Sequence, residues 1–195
     1  MIHPNTELKY INKAIGHGVF ATAFIPKGTI VYVIDPLELT ITPEQFEAYP
    51  EILKSSIDKY SYRDAAKNKI VSWDYAKYVN HCCDCNTMSS GYGFEVAIRD
   101  IQEGEEITDE YGMFNIECEM DLHCNSGVCR KKLRKDDFDH YHKEWDGKVL
   151  PALQQVFNVD QPLLSLLDDD TRKELEEVVR NPQAYKSVIQ LKCGD

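Results

Sequence analysis

Short apolar runs separated by turn residues dominate the first third of the chain. The segments VFATAFI at 19–25 and TIVYVI at 29–34 flank the turn PKG at 26–28. Proline presets φ for a turn and glycine tolerates a positive φ, so the pattern predicts two strands joined by a hairpin or a tight corner. The best strand candidates further along are KIVSW at 69–73 and YGFEVAIRDI at 92–101.

A short helix is predicted directly after these first strands. Thr42 is a suitable N-cap, Pro43 fits the first helical position, and Gln45 is placed to return a bond to the cap. This capping-box pattern predicts a helix that runs to about Tyr49. We expect short strands and loops over residues 57–100.

The spacing of charged and apolar residues changes from residue 131 onward. The charged run KKLRKDD at 131–137 is followed by a region with helical spacing. Leu175, Val178 and Val179 share one face of a helix that follows a cap at 168–170. The pattern therefore predicts a mainly β protein with appended helices, whose chemistry lies in about the first 130 residues.

Charge and composition narrow the class of protein. The 195 residues carry a formal net charge of −11, contain no long apolar run, and begin without the pattern of a signal peptide. We expect a soluble intracellular protein, cytoplasmic or nuclear, without a membrane segment. Its acidity disfavours direct binding of nucleic acid and favours a basic partner. The same acidity is also explained by solubility alone.

Cysteine placement points to metal rather than to disulfides. The chain has seven cysteines, an odd count that suits an intracellular metal site better than a disulfide framework. They fall into two groups and one isolated residue, namely Cys82, Cys83 and Cys85, then Cys118, Cys124 and Cys129, and finally Cys193.

Four segments carry candidate chemistry, and each also has a simpler explanation. GHGVFA at 16–21 lets backbone approach a ligand, but an ordinary turn has the same glycines. NHCCDCN at 80–86 offers donors and acceptors, but it also fits a polar loop with a buried histidine. In GEEITDEYG at 104–112 the tyrosine fits half-buried packing as well as chemistry. Two cysteines, at 124 and 129, cannot complete a tetrahedral zinc site alone.

Taken in order, these segments resemble the SET-domain family of lysine methyltransferases over about residues 10–130. The family's GxG segment and following turn match GHGVFATAFIPKG, its RFINHSCxPN-like segment matches KYVNHCCDCN, and its GEELTxDY matches GEEITDEY. A strand, VAIRDI, lies between the last two, and HCNSGVCR partly matches a zinc-binding post-SET element. The order of the motifs matters more than any single match.

The resemblance implies a fold and a division of the chain. We expect a SET-type fold of short strands and loops with a pseudoknot, in which the GEEIT strand threads through a loop of earlier chain. The SET domain would span 1–116, a post-SET-like cysteine segment 117–134, and a helical extension 135–195. The pseudoknot would bring the Asn80–His81 pair and Tyr111 together.

The same resemblance implies a cofactor, S-adenosylmethionine, and residues that contact it. Backbone near Ile15, His17 and Gly18 would hold its methionine part, and Asn80 and His81 would contact it, with His81 near the adenine. Tyr60 and Phe114 are assigned equally to its pocket or to the core. The full set of expected cofactor contacts is Ile15, His17, Gly18, Tyr60, Asn80, His81, Tyr111 and Phe114.

By similarity, Tyr111 is the main catalytic residue and Tyr78 forms part of the wall of the lysine channel. Transfer of a methyl group from a sulfonium to a neutral amine requires alignment and exclusion of water. A phenol at the end of a narrow channel can orient the amine without acting as a strong base.

A zinc site is also implied, with one departure from the family pattern. The expected ligands are Cys83, Cys124, Cys129 and Cys118. Leu122 stands where the first cysteine of the usual CxC belongs, so either Cys118 or His123 is expected to supply the fourth ligand. The alternative is that these cysteines are buried thiols without metal.

Position 109 is a second departure. The family commonly has an aromatic residue two positions before the catalytic tyrosine, where it limits how many methyl groups fit, whereas this chain has Asp109. An aspartate leaves space for water or meets the ammonium form of lysine. The number of methyl groups added therefore stays open.

Three functions from different classes fit these observations. The leading one is a methyltransferase that acts on lysine in a basic protein, such as a histone. The second is a SET-fold interaction module, stabilised by zinc, that has lost turnover. The third is a metal-binding or redox protein, which leaves GEEITDEY without a purpose. The helices after residue 131 complete the pocket, bind a partner or support a dimer.

Overall fold

Short strands form most of the regular structure in the first part of the chain. The computed structural model describes residues 1–122, 124 and 126–194. Its strands are β1 (Thr6–Asn12), β2 (Gly16–Ala21), β3 (Ile30–Val33), β4 (Leu39–Ile41), β5 (Ser61–Arg63), β6 (Lys69–Val71), β7 (Asn80–His81), β8 (Thr87–Ser89), β9 (Phe94–Ala97), β10 (Glu106–Asp109), β11 (Met120–Asp121) and β12 (Lys132–Leu133).

Two α-helices lie between strands and two follow them. They are α1 (Pro43–Ala48), α2 (Glu51–Tyr60), α3 (Asp137–Leu153) and α4 (Asp169–Arg180). Short 3₁₀ turns cover Tyr75–Tyr78, Tyr111–Met113, Leu164–Leu166, Pro182–Ala184 and Val188–Leu191. The prediction of a mainly β architecture with helices near the C-terminal end is confirmed.

The strands form four small sheets. The largest has the order β1-β2-β10-β7, in which β2 is antiparallel to both β1 and β10, while β10 and β7 are parallel. The other sheets have the orders β3-β9-β8, β4-β6-β5 and β11-β12. Because β10 lies between β2 and β7, three stretches that are distant in sequence become neighbours.

The turn at residues 26–28 is a corner between sheets rather than a hairpin. The N–H of Thr29 donates to the carbonyl of Pro26 at 3.1 Å, and Gly28 has a φ of +94°. Since β2 and β3 belong to different sheets, the hairpin alternative is wrong and the tight corner is confirmed. A Cβ at Gly28 would lie 2.6 Å from Cβ of Gln155 and 3.0 Å from the carbonyl oxygen of Ala152, so glycine also admits the end of α3.

The two early helices show where the sequence pattern was readable. The capping box between Thr42 and Gln45 is present, and α1 ends before Tyr49 as predicted. Helix α2 was missed, and the expectation of strands and loops from residue 57 is wrong over its last turn. Ile52 and Leu53 of α2 are exposed, so no apolar stripe marked a buried face.

Strands and C-terminal helices share one hydrophobic core. Phe138 and Trp145 of α3 are buried, with ring centroids 5.5 Å apart in an edge-to-face contact. The cluster combines side chains from both parts of the chain, including Ile30, Val33, Met88, Phe94, Val96, Phe138, Trp145, Val149, Leu153, Leu175, Val178 and Val188. The predicted division at residues 116 and 134 stays a prediction, but the helices support the sheets directly.

Helix α4 follows the predicted pattern. Asp168 caps it by accepting bonds from the N–H groups of Asp170 and Thr171 at 3.0 and 2.8 Å. Leu175 and Val178 are buried on its inner face. In the described part of the chain, each helix is too short or too polar to cross a bilayer.

Candidate active site

The edge between β10 and β7 joins two of the predicted motifs. Thr108 pairs with Asn80 and Asp109 with His81 in parallel register, while Ile107 pairs with β2 on the other side. The glycine segment, the asparagine–histidine pair and the acidic strand therefore lie side by side. This is the meeting of distant segments that the motif order predicts.

Asn80 ties the three strands together through its side chain. Its Nδ2 donates to the carbonyl of His17 at 3.1 Å and to Oε1 of Glu106 at 2.8 Å. A Cβ at Gly18 would lie 2.6 Å from Glu106 Oε1 and 3.0 Å from Asn80 Nδ2. Gly18 is therefore needed for close approach, whereas Gly16 is needed for its φ of +89°.

A buried asparagine, which no motif marked as functional, forms hydrogen bonds to the backbone of β10. Asn86 is fully buried, accepts from the N–H of Thr108 at 2.9 Å and donates to the carbonyl of Glu106 at 2.8 Å. Thr87 Oγ1 donates to the carbonyl of Thr108 at 3.0 Å. Residues 80–87 thus contact β10 on one side while β2 pairs with it on the other. A pseudoknot of the predicted kind needs this contact between β10 and the earlier segment.

Tyr111 begins the turn that follows β10 and lies against His81. Its N–H donates to His81 Nδ1 at 3.2 Å, and the two rings have centroids 5.5 Å apart. Its hydroxyl donates to the carbonyl of Val79 at 2.6 Å. Burial raises the pKa of Tyr111, and the charges of Asp109 and Glu95 raise it further, so the phenol stays neutral. A fixed neutral phenol can orient a reactant through its oxygen lone pairs.

The same tyrosine lines a large cavity. The cavity has a volume of about 390 Å³, within the range of about 300–1,000 Å³ that small-molecule sites occupy. Of the residues predicted to contact a cofactor, Tyr60, Tyr111 and Phe114 line it. Its wall also includes Tyr32, Tyr62, Glu95 and Asp109.

The other predicted cofactor contacts lie beside the cavity. Among the described residues, Ile15, His17, Gly18, Asn80 and His81 are not part of its lining. Ile15 is exposed, and a Cβ at the neighbouring Gly16 would meet no atom within 4 Å, so this backbone is open to a ligand.

Tyr78 is close to the cavity without lining it. The residues on either side of it, Lys77 and Val79, contribute to the wall instead. The ring of Tyr78 lies edge-on to Tyr60 at 5.4 Å and to His17 at 5.8 Å. Its predicted role as a channel wall stays a prediction, which this placement supports only through contact with Tyr60.

Two carboxyl groups meet at the cavity wall. Asp109 is 1% exposed, its Oδ1 accepts from the N–H of Glu110 at 2.6 Å, and its carboxyl lies within hydrogen-bonding reach of Glu95. Burial raises the pKa of Glu95 to about 7, and burial together with the charge of Glu95 raises that of Asp109. Glu95 was missed because alternation in FEVA predicts only that it faces away from the core.

Three potential metal ligands converge around the side chain of His81. His81 Nε2 lies 3.3 Å from Cys83 Sγ, and these atoms lie within 4.8 Å of Cys124 Sγ. Burial would raise the pKa of Cys124, but hydrogen bonds from the backbone of Cys83 and the thiol of Cys129 lower it to about 7. Burial and the charge of Arg130 lower the pKa of His81 to about 4, which leaves its imidazole neutral.

The donor set fits zinc, and it includes a histidine instead of the expected cysteine. The group supplies two thiols and one imidazole nitrogen, and the thiol of Cys129, which hydrogen-bonds to Cys124, would make the three-thiol, one-imidazole set that is common for structural zinc. Cys118 is exposed at the cavity and lies outside the group of His81, Cys83 and Cys124, so its predicted ligand role has no support from this placement. His123, the other expected ligand, lies outside the described residues.

Arg130 connects the cysteine segment to the turn that carries Tyr111. Its Nη2 donates to Oε1 of Glu110 at 2.6 Å and lies 3.5 Å from Oδ2 of Asp137. Its guanidinium stacks on the ring of Tyr141 at 4.5 Å, and the backbone N–H of Arg130 donates to Cys83 Sγ at 3.3 Å. In the sequence this arginine is marked only by its position directly after Cys129.

Comparison with known proteins agrees with this geometry. Residues 16–112 match the model of the SET domain. Residues 16–112 are therefore a SET domain, as the family resemblance implied. The post-SET element is not part of that match.

Two similar proteins illustrate how far the likeness extends. The variant-silencing SET domain-containing protein of Plasmodium falciparum (isolate 3D7) is 31% identical over 138 residues, which are 63% of this chain and 5% of that protein. A crystal structure of KRYPTONITE in complex with mCHG DNA and SAH is 18% identical with a TM-score of 0.46, over 68% of this chain and 30% of that one. The chain thus spans only a small part of either protein.

Proposed function

We propose that this protein is an S-adenosylmethionine-dependent methyltransferase that acts on the side-chain amine of lysine in a protein substrate. The SET domain at residues 16–112 supports this class of reaction. The single observation that carries the proposal is the position of Tyr111, whose ring contacts His81 on one side while the residue lines a cavity of about 390 Å³.

The cofactor fits the residues present at this junction. Open backbone near Ile15 and Gly16, together with the side chain of Asn80, the backbone of His81 and the cavity aromatics, would hold it. When bound, S-adenosylmethionine supplies a methyl group on a positively charged sulfur.

The protein's own residues bind and orient rather than donate groups. Tyr111 fixes the amine through its oxygen, because its hydroxyl proton is already committed to the carbonyl of Val79. The aromatic side chains exclude water from the amine, which must be uncharged to react. Alignment and desolvation of this kind account for rate enhancement without a strong base.

The substrate is proposed to be a basic protein. The formal net charge of −11 gives the surface a field that attracts lysine-rich segments. Phosphate backbones are repelled by the same field, so direct nucleic-acid binding is not part of the proposal.

Incubation with S-adenosylmethionine labelled in its methyl group and a mixture of basic proteins tests the activity. We expect label in protein, recovered as methyl-lysine after hydrolysis. Cofactor binding without transfer of label would instead indicate an inactive interaction module. Absence of both would leave a metal-binding role, with the cysteine cluster as its basis.

We also propose that Cys83, Cys124, Cys129 and His81 hold one structural zinc ion. Purified protein is expected to contain about one equivalent of zinc by elemental analysis, and Cys83→Ser is expected to lose most of it. Cys193→Ser is the matched control, because its thiol donates to the carbonyl of Asp64, away from the cluster. Less than a tenth of an equivalent in the unmodified protein would contradict the proposal.

A further inference from the structure

Asn115 lies at the end of the turn that follows β10 and bonds to two other parts of the chain. Its Nδ2 donates to the carbonyl of Arg63 at 3.1 Å and to the carbonyl of Leu191 at 2.8 Å. Its Oδ1 accepts from the N–H of Cys193 at 2.9 Å. One amide side chain therefore uses both of its N–H donors and its oxygen to join the turn, strand β5 and the segment near the C-terminal end of the chain.

The backbone of Asn115 has an uncommon conformation. Its φ is +51°, in the left-handed region, where asparagine occurs more often than most residues. An asparagine that only ends a helical turn accounts for this φ, but it does not account for bonds to two distant segments. A sparsely populated conformation persists where the surrounding structure over-determines it, and the three side-chain bonds do so here.

Phe114, the residue before Asn115, connects the catalytic phenol to the opposite wall of the cavity. Its ring centroid lies 5.3 Å from that of Tyr111 and 5.2 Å from that of Tyr62. The N–H of Arg63 donates to the carbonyl of Phe114 at 3.2 Å, next to the bond that Asn115 makes to the carbonyl of Arg63. These two bonds fix the backbone of Phe114 against β5, and with it the ring that contacts Tyr111.

The segment Val188–Cys193 is anchored to α3. Val188 is fully buried, and its N–H donates to Oδ1 of Asp146 at 2.9 Å. The hydroxyl of Ser187 donates to Oδ2 of the same carboxylate at 2.6 Å. The segment is thus held by the core of the molecule, so the carbonyl and N–H groups that it presents to Asn115 have fixed positions.

We propose, building on the function proposed above, that Asn115 is a positioning residue that transmits support from the segment Val188–Cys193 to the catalytic turn. It acts through the ring of Phe114, which limits where the phenol of Tyr111 lies. Since a misplacement of about 1 Å can cost about a hundredfold in rate, loss of these bonds lowers turnover while binding of the methyl donor is largely kept.

Two substitutions at Cys193 test this support from outside the cavity. Cys193→Pro removes the N–H that bonds to Asn115, whereas Cys193→Ser keeps that N–H and keeps a donor for the carbonyl of Asp64. Lys192 has a φ of −64° and a ψ of 131°, which suits a residue before proline. We expect Cys193→Pro to lower kcat about tenfold with the KM for the methyl donor within about twofold, and Cys193→Ser to keep both. Equal kcat values in the two variants would overturn the proposal.

A double variant distinguishes positioning from general loss of stability. Asn115→Gly removes the side-chain bonds and leaves a residue that adopts a positive φ without strain. Its kcat is expected to fall about tenfold or more, and adding Cys193→Pro is expected to lower kcat no further, because the acceptor of that N–H is already gone. Thermal melts establish that each variant is folded at the assay temperature. Losses that multiply in the double variant, or an undiminished kcat in folded Asn115→Gly, would contradict the proposal.

Amide NMR signals keep this inference separate from the proposed function, because they require no turnover. In the full-length protein without substrate, Cys193→Pro is expected to shift the signals of residues 111–114, and the same change in the Asn115→Gly background is expected to leave them in place. These shifts in a protein that transfers no methyl groups would uphold the positioning and refute the activity. Transfer of label without these shifts would uphold the activity and refute the positioning.

Discussion

Tyr111→Phe is expected to lower turnover about a hundredfold or more while leaving binding of the methyl donor within about twofold. The variant keeps the ring, and therefore its contacts with His81 and Phe114 at centroid distances of 5.5 and 5.3 Å. It removes only the oxygen that orients the reacting amine. Loss of one preorganised hydrogen-bonding group in an active site typically costs 10²–10³ in rate, roughly 3–4 kcal/mol of barrier.

Initial rates of label transfer and calorimetric titration of the methyl donor measure the two quantities separately. Tyr92→Phe is the matched control, because it removes another phenol oxygen, one that accepts from the N–H of Lys186 at 2.8 Å, in the core that supports the helices. Its turnover is expected to stay within about threefold of the unmodified protein at a temperature well below its melt. Undiminished turnover in Tyr111→Phe would remove the proposed role.

The meeting of the motifs could be predicted from the family resemblance, but not from hydrophobic periodicity. β7 has two residues and β10 four, which is too short for a periodic signal to establish their pairing. Their parallel contact is long-range, since Asp109 pairs with His81 across 28 residues. Only resemblance to a family whose fold includes this crossing placed Tyr111 beside His81 in advance.

Helices that begin with a side-chain cap could be predicted from a few neighbouring residues. The capping box at Thr42 and Gln45 and the Asp168 cap needed no information from elsewhere in the chain. Helix α2 lacked such a signal, because its N-cap position is Pro50, which makes no side-chain bond, and its apolar residues Ile52 and Leu53 are exposed.

Residues that act through long-range contacts were the least predictable part of the site. Alternation along β9 shows that Glu95 faces away from the core, but it cannot show that this face meets Asp109 at the wall of a cavity that Tyr62 also lines. In the same way, the sequence shows only that His81 and Cys83 are two positions apart, and it does not show that their side chains lie together. His81 and Cys83 become part of a candidate metal site only because the fold brings Cys124 close to both of them.

Arg130→Met is expected to lower the free energy of unfolding by about 3 kcal/mol, because it leaves two buried carboxylates without their cationic partner. The side chains of Glu110 and Asp137 are 2% and 1% exposed, and Arg130 is the cation that pairs with both. Burial raises the pKa of Glu110 even with the arginine present, as expected of a carboxylate removed from water. For a chain of this size, the melting temperature is expected to fall by roughly 6–12 °C.

Urea unfolding of three variants shows whether the buried pair is the cause. Lys132→Met removes an equal charge from the same segment, but its partner Glu119 is exposed, so only a small change is expected. Adding Glu110→Gln to Arg130→Met is expected to restore at least about 1 kcal/mol, because the stranded charge is then removed. If Arg130→Met and Lys132→Met have the same small effect, the ionic contact does not hold the cysteine segment to the turn of Tyr111.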